Sequence, residues 1–338
     1  MKKNWAISSY QFNYHQEFEK IKVERINTGN YDDVLMPISH VEGFEKLYGF
    51  AQKFVDKHPN VKLLVSNNRL CSDDFLRLVS ILFRRKGVKT IFLQHGANYQ
   101  TDASSALLNY ELKLADYWFG WANVQIKSPC GIHKIYKRNK KNIIWYIPTT
   151  NWRIPTFEWS HPYGKKFDQH IGHQETFFKT FGRETKKLLH IKLDFSDRGF
   201  PQMQFYRKYF DISKIKHGVT LNKAFKNSRL VICGYSSTVM FHTIASNIPT
   251  VAFWDKTLWK WNEEYNDILD VLKRANIFFD DGEKLSLFLE QNINKIDSWW
   301  ASEQTQLALL CFKNKFRWHK NMKDEVTLLQ EWIAQNET

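Results

Sequence analysis

Residues 229–255 read RLVICGYSSTVMFHTIASNIPTVAFWD, and their pattern is the clearest indication of the fold in this sequence. An apolar run ends at Gly234, and the hydroxyl residues Ser236, Ser237 and Thr238 follow before a helix-like segment, a proline and a second apolar run. This order predicts a strand, a turn, a helix and a second strand, which is the repeating unit of a parallel α/β sheet. Since the hydroxyl groups lie where the strand gives way to the helix, they either cap the helix or hold an anion at its amino end.

The first half of the chain shows the same alternation of short apolar runs with amphipathic segments. We predict strand, helix, strand, helix and strand in VKLLVSN (61–67), SDDFLRLVSILFRRKG (72–87), VKTIFLQHG (88–96), SSALLNYELKLA (104–115) and DYWFGWA (116–122). In the first of these helices the apolar residues share one face, and Ser72 and Asp73 are candidates for its amino-terminal cap. The alternation therefore predicts parallel sheets covered by helices.

A chain of 338 residues is long enough for two domains, each with its own core. Three prolines and several turn-forming residues lie within residues 147–164, where we place the domain boundary. The prediction is a Rossmann-like domain over residues 1–155, a second over 165–318 and a C-terminal helix over 319–338 that braces the domains. The fold class is thus α/β with C-terminal helices.

Composition restricts the cellular context and the partners. The four cysteines lack metal-ligand spacing, and no apolar run reaches the length of a membrane span, so we expect a cytoplasmic protein without a structural metal. The net charge of +14 favours anionic partners. The basic residues cluster in FRRKGVK (83–89), KIYKRNKK (134–141) and FKNKFRWHKNMK (312–323). These clusters form either a solvated surface or a contact with an anionic partner. That partner would be an acidic acceptor or the anionic inner membrane, to which the protein would then bind peripherally.

Three longer segments carry a resemblance to a known group of enzymes. They are FLQHGANYQTDASSALLNYELKLADYWFGWA (92–122), SRLVICGYSSTVMFHTIASNIPTVAFWD (228–255) and LWKWNEEYNDILDVLKRANIFFDD (258–281). Together they resemble bacterial surface-carbohydrate transferases of the capsule and O-antigen type, distantly similar to Kdo and nonulosonate transferases and to CDP-glycerol glycerophosphotransferases. The resemblance spans about residues 88–318 and implies GT-B architecture, in which two Rossmann-like domains face each other across a cleft.

In the first domain, the resemblance assigns roles to a glutamine-histidine-glycine loop. His95 is the predicted catalytic residue, because a histidine that titrates near neutrality can take a proton from an acceptor hydroxyl. Gln94 and Gly96 complete the loop, and Glu111 is a second catalytic candidate that either orients His95 or acts as base. A structural histidine and an ordinary charged helix face are the alternatives.

In the second domain, the resemblance implies a donor site around the hydroxyl cluster. The predicted donor-binding residues follow the ends of successive strands: Lys192, Asp194, Arg198, Gly234, Tyr235, Ser236, Ser237, Thr238, His242 and Asp255. Two of them depart from the group, which carries a glutamate where this chain has His242 and an arginine where it has Lys192. Solvated loop charges and a plain serine cap are the alternatives.

The leading prediction is a metal-independent glycosyltransferase. It would move a sugar from a nucleotide donor to a hydroxyl of a surface glycan or lipid-linked glycan. The favoured donor is a CMP-activated acidic sugar such as a nonulosonate or Kdo. The enzyme would need no cofactor. The acidic pairs Asp32-Asp33, Asp73-Asp74 and Asp280-Asp281 lack the strand context of a metal-binding motif. Two alternatives stay open: transfer of a CDP-linked phosphoalditol, and a non-catalytic protein that binds nucleic acid or another anion. Nucleic acid is the less favoured, because the basic clusters are dispersed.

Overall fold

A computed structural model describes residues 6–7, 43–103, 105–122, 131–132, 138–139, 142–149, 162, 164–195, 200–316 and 322–336. The strands are β1 (Ala6–Ile7), β2 (Leu63–Ser66), β3 (Lys89–Leu93), β4 (Tyr117–Phe119), β5 (Ile144–Ile147), β6 (Leu189–Lys192), β7 (Ile215–Lys216), β8 (Leu230–Cys233), β9 (Thr250–Phe253) and β10 (Phe278–Phe279). The helices of the first half are α1 (Phe44–Asp56), α2 (Asp74–Arg85), α3 (Asn98–Thr101) and α4 (Ala106–Leu114). Those of the second half are α5 (Lys165–Thr180), α6 (Arg183–Leu188), α7 (Gln202–Tyr206), α8 (Leu221–Lys226), α9 (Thr238–Ala245), α10 (Asn266–Arg274), α11 (Gly282–Asn292), α12 (Ile296–Trp300), α13 (Glu303–Lys315) and α14 (Met322–Asn336).

The chain forms two compact units. Unit 1 contains residues 1–95 and 107–119, and unit 2 contains residues 96–106 and 120–338. Each unit is built on one parallel sheet, with strand order β1-β2-β3-β4 in unit 1 and β10-β9-β8-β5-β6-β7 in unit 2. The predicted α/β class with parallel sheets is confirmed. None of the described helices combines the length and the apolar character that a membrane span requires.

Unit 1 is held together by the apolar faces of α1 and α2 on its sheet. Buried side chains of both helices form one core with Leu64 of β2 and with Val88, which precedes β3. The carboxylate of Asp73 accepts a hydrogen bond from the Leu76 N–H at 3.1 Å, so Asp73, one of the two predicted cap residues, begins α2. A 3₁₀ turn, Asn68–Cys71, connects β2 to this helix.

Unit 2 has β5 at the centre of its sheet. Every residue of β5 is buried, and its backbone pairs in parallel with β6 on one edge and β8 on the other. The core on one face of this sheet is rich in phenylalanine and tyrosine and includes side chains from α5, α7 and α11. Aromatic side chains bury much apolar surface each, so this core supplies a large part of the driving force for folding.

The observed division of the chain differs from the predicted boundary. The prediction assigns residues up to 155 to the first domain, but the backbone hydrogen bonds of β5 place Ile144–Ile147 in the second sheet. The segment 96–106 also belongs to unit 2, although it lies between two strands of unit 1. The proline-rich stretch marked a change of local structure, whereas the pairing of a strand depends on residues far away in sequence.

Helices α5 and α11 pack closely at Gly282, the first residue of α11. A Cβ atom at this position would lie 2.5 Å from the Phe177 backbone nitrogen and 2.9 Å from its Cα. Neither atom can move without moving α5, because both belong to the backbone of that helix. Glycine is therefore required for this contact.

Replacing Gly282 by alanine should destabilise unit 2. Overpacking at a rigid contact costs about 1–3 kcal/mol, so we expect the free energy of unfolding in urea to fall by about 2 kcal/mol. Gly172→Ala is the matched control, because Gly172 lies within α5 and a Cβ there meets no atom within 4 Å. Alanine is more favourable than glycine in a helix interior, so the free energy of unfolding of this control should rise by about 0.5–1 kcal/mol. Equal stability of the two variants would contradict the proposed contact.

Candidate functional site

Three of the predicted donor residues lie at the carboxyl edge of the unit 2 sheet. Because all its strands run in parallel, the ends of β6, β8 and β9 share this edge, where ligands bind in open α/β sheets. Lys192 ends β6, Gly234 follows β8, and Asp255 lies two residues beyond β9. The structure therefore brings these three strand ends to one side of unit 2.

Gly234 fits against a side chain of the central strand. A Cβ at this position would overlap the hydroxyl end of the Tyr146 ring, which is fully buried. The Tyr146 hydroxyl donates a hydrogen bond to Oε1 of Gln174, and burial raises the pKa of the phenol well above its ordinary value. The turn after β8 thus takes glycine because a neutral, hydrogen-bonded tyrosine occupies the space beside it.

Ser236 has a structural partner. Its Oγ accepts a hydrogen bond from Nε1 of Trp261 at 2.8 Å, and both side chains are buried. The Ser236 carbonyl accepts a second hydrogen bond, from Nδ2 of Asn98 at 3.2 Å. Ser236 therefore joins the loop before α9 to two other segments of unit 2.

Ser237 occupies the N-cap position of α9, yet its side chain makes no capping hydrogen bond. Its hydroxyl oxygen is buried and has no hydrogen-bond partner, and the residue is 4% exposed. The backbone N–H groups of Ser237, Thr238 and Val239 also have no acceptor among the described residues, as is normal for the first turn of a helix. These donors collect at the positive end of the helix dipole, which favours a negative charge.

Thr238 holds a segment that the sequence assigned to the other domain. Its Oγ1 accepts a hydrogen bond from the Ala97 N–H at 3.1 Å, and a Cβ at Gly96 would lie 3.0 Å from the same oxygen. Further along, the Ala103 N–H donates to the Lys260 carbonyl at 3.0 Å. The segment 96–106 is therefore fixed beside the start of α9, and the Thr238 hydroxyl already has a partner.

Lys192 is a nearly buried cation, with 7% of its surface exposed. Its ammonium group donates to the Leu193 carbonyl at 3.4 Å and lies 5.4 Å from the centre of the Phe195 ring. Burial lowers the pKa of Lys192, and the nearby Asp194 carboxylate partly opposes this effect. Arg198 lies outside the described residues.

Asp255 and its neighbour Trp254 have structural contacts in this structure. One carboxylate oxygen of Asp255 accepts hydrogen bonds from the backbone N–H and the hydroxyl of Thr257, at 2.8 and 2.7 Å. Trp254 is fully buried against Phe278, so it is a core residue and not a stacking surface for a base. The donor-binding role of Asp255 remains a prediction.

Two further donor candidates take part in aromatic contacts. The Tyr235 ring lies 5.6 Å from the ring of Trp259, which donates a hydrogen bond to His170. The His242 ring lies in the second turn of α9, 6.2 Å from the ring of Trp121. Both residues are partly exposed.

The predicted catalytic residues belong to unit 1. His95 is exposed, and displacement of water by the surrounding protein still lowers the pKa of its imidazole below the ordinary 6.5. Gln94 is buried beside it, with its backbone N–H bonded to the Phe119 carbonyl. Glu111 is fully buried, and its Oε2 accepts a hydrogen bond from Nε1 of Trp118 at 3.1 Å. A base must reach the hydroxyl it deprotonates, so this burial favours a structural role for Glu111.

Sequence reasoning missed the residues that support this loop. Trp261 and Asn98 bind Ser236 from the segments 258–281 and 92–122, and the resemblance of these segments to known transferases assigns a role to neither residue. Over the described ranges, no group of three or more histidine, cysteine, aspartate or glutamate side chains is arranged to hold a metal ion.

Comparison with known proteins gives one match that spans nearly the whole chain. Residues 3–333 match the family described as LIC12162 family transferase. No curated protein gives a significant match. Similar solved structures include the S. aureus MnaA-UDP co-structure (10% identity, 87% of this chain and 80% of that chain, TM-score 0.48). They also include Spinosyn Forosaminyltransferase SpnP (12% identity, 86% of this chain and 79% of that chain, TM-score 0.42). A third is the glycosyltransferase SnogD from Streptomyces nogalater (12% identity, 86% of this chain and 83% of that chain, TM-score 0.39).

The two adjacent serines should differ in their effect on stability. Ser236→Ala leaves the buried Trp261 N–H without an acceptor, so we expect the free energy of unfolding to fall by about 1–3 kcal/mol. Ser237→Ala removes a hydroxyl that has no partner, so the loss should stay within about 0.5 kcal/mol. Urea unfolding followed by tryptophan fluorescence measures both. A larger loss for Ser237→Ala would show that its hydroxyl has a protein partner.

Proposed function

Since the chain belongs to the LIC12162 family of transferases, we propose that it is a glycosyltransferase whose nucleotide donor binds by its phosphate at the amino end of α9. The family match supports transfer of a chemical group. The resemblance to surface-carbohydrate transferases supports a sugar as that group and a hydroxyl of a glycan or lipid-linked glycan as its acceptor. The proposal for the donor site depends on unit 2 alone.

The unpartnered hydroxyl of Ser237 carries this proposal. It lies at a helix start, at the carboxyl edge of a parallel sheet, beside backbone N–H groups that lack acceptors. All these groups donate hydrogen bonds, and a phosphate has several oxygens that accept them. An ordinary N-cap serine would instead accept a hydrogen bond from its own helix, and Ser237 does not.

Lys192 supports an anion at this edge. The register pairs Ile147 of β5 with Cys233 of β8 and brings Lys192 of β6 to the same level. Two strand spacings, about 10 Å, therefore separate the end of β6 from the end of β8. A lysine side chain spans much of this distance, and a phosphate within its reach would favour the charged ammonium form.

The transfer breaks the bond between the sugar carbon and the donor phosphate oxygen. The phosphate leaves with the electron pair, and its growing negative charge is stabilised by the α9 amino end, Ser237 and Lys192. The acceptor oxygen forms the new bond to the sugar carbon and gives up its proton to a base. His95 is the proposed base, because its lowered pKa keeps the imidazole neutral and able to accept a proton near pH 7.

Among donors, we favour a CMP-activated acidic sugar. A single phosphate suits one helix amino end, and the net charge of +14 suits acidic sugars and glycans. A CDP-linked donor for phosphoalditol transfer is the second candidate, because the histidine loop resembles that group too. The proposed transfer is independent of metal, with the charges of the protein acting on the phosphate directly.

A panel of nucleotides tests the donor site. Thermal unfolding is measured with CMP, CDP, UDP and GDP, each with and without magnesium. A ligand at one hundred times its dissociation constant stabilises the native state by about 2.7 kcal/mol, so CMP at saturation should raise the melting temperature clearly. Ser237→Ala should remove this shift.

Ser213→Ala is the matched control, because Ser213 is an exposed serine of unit 2 and should keep the full shift. A preference for CDP would favour the phosphoalditol donor, and one for UDP or GDP would reject the CMP-sugar. No shift with any nucleotide would overturn the proposed donor site.

The role of His95 is tested by the pH dependence of transfer. Since its pKa lies below 6.5, kcat/KM should stay level near pH 7 and fall as the pH drops through that lowered pKa and the imidazole becomes protonated. His95→Gln should lower kcat by about 10²–10⁴-fold and abolish this decrease of kcat/KM at acidic pH. His58→Gln, at an exposed histidine of unit 1, should change neither. If kcat/KM of His95→Gln still falls at acidic pH in the same way, another residue is the base.

A further inference from the structure

The loop after β2 presents polar side chains at the carboxyl edge of the unit 1 sheet. Asn67, Asn68 and Arg69 follow directly on Ser66, the last residue of the strand. In the described part of the chain these three side chains form no hydrogen bond or ion pair. We propose that they bind an oxyanion, the carboxylate or phosphate of an acidic sugar, with the two amides on neighbouring hydroxyl groups.

A partly buried arginine fixes the backbone of this loop. Arg77 donates from Nε to the Leu70 carbonyl at 2.7 Å and from Nη2 to the Cys71 carbonyl at 2.5 Å. Its remaining nitrogen bonds the Asp74 carboxylate at 2.7 Å, and Tyr110 adds a longer contact to Leu70. These hydrogen bonds fix the backbone of the turn, so its exposed side chains project from a rigid backbone. A ligand that binds them pays little entropy for ordering the loop.

The sheet register places His95 in the same region of unit 1. Ser66 pairs with Phe92 on the adjacent strand, and Arg69 and His95 each follow these paired residues by three positions. Adjacent strands lie about 4.8 Å apart, so both loops leave the sheet side by side. A sugar bound at Arg69 would thus lie near an exposed imidazole.

The charges around the loop leave Arg69 open to an external anion. Asp74 is engaged with Arg77, and Asp73 caps α2 through the Leu76 N–H. Arg69 itself is exposed. A planar guanidinium binds a carboxylate or a phosphate through two parallel hydrogen bonds, and amides of asparagine both donate to and accept from sugar hydroxyls. These groups match an acidic sugar better than a neutral one.

The identity of this ligand as the acceptor rests on the proposed function, whereas the binding itself does not. If unit 1 supplies the acceptor, the acceptor carries an acidic group close to the reacting hydroxyl. Nucleotide binding at α9 in unit 2 is a separate observable, so either idea can fail alone.

The test measures binding of small probes by ligand-observed NMR on the full chain, without nucleotide. The probes are glucuronate for a carboxylate, glucose 1-phosphate for a phosphate, and glucose as the neutral reference. We expect at least one acidic probe to bind more tightly than glucose, and Arg69→Gln to weaken that binding by about tenfold or more. The acidic probe that binds identifies the anionic group.

Arg85→Gln is the matched control, because Arg85 is a second exposed arginine of unit 1, at the end of α2. It should leave probe binding unchanged, and Asn68→Ala should weaken it. Arg69→Gln should keep both the wild-type melting temperature and the CMP-induced shift. The proposal is overturned if glucose binds as well as the acidic probes, if no probe binds, or if Arg69→Gln and Arg85→Gln behave alike.

Discussion

Hydrogen bonding on both edges of β5 is the constraint on which the site in unit 2 depends. The strand is fully buried and pairs in parallel with β6 and β8, so the ends of those two strands lie at one level. Lys192 and the Gly234 turn are positioned by this pairing and not by contact with each other. Tyr146, in the same strand, also determines the residue type at the turn, because its ring fills the space that a side chain at position 234 would need. A core residue thus shapes the ligand edge.

The alternation of strands and helices could be predicted from the sequence because it is a local property. Apolar residues repeat with the period of the element they form, and the runs around residues 61–122 and 229–255 are long enough to show it. The place of β5 could not be predicted in this way. Its apolar residues follow a basic cluster and precede a proline-rich stretch, so the sequence composition assigns this strand to the first domain. Its partners, β6 and β8, lie farther along the chain, and no local pattern specifies which strands will pair.

The same limit applies to the hydroxyl cluster. The sequence presents Ser236, Ser237 and Thr238 as one group, but the structure gives each a different environment. Ser236 binds Trp261, 25 residues away, and Thr238 binds Ala97, 141 residues away. Only the middle serine keeps its hydroxyl without a partner. Local sequence can therefore identify the helix start as a candidate site, whereas the choice of the binding residue depends on contacts that are distant in sequence.

The environment of Ser237 also separates the two interpretations of the cluster in energetic terms. A capping serine stabilises its helix by about 1 kcal/mol, since it satisfies one of the open N–H groups. Ser237 makes no such bond, so its buried hydroxyl does not contribute this stabilisation. Alanine would fold at least as well at this position. The open N–H groups of α9 and the Ser237 hydroxyl can all donate hydrogen bonds. An external acceptor with several oxygens satisfies them together, and a negative charge on it is further stabilised by the helix dipole.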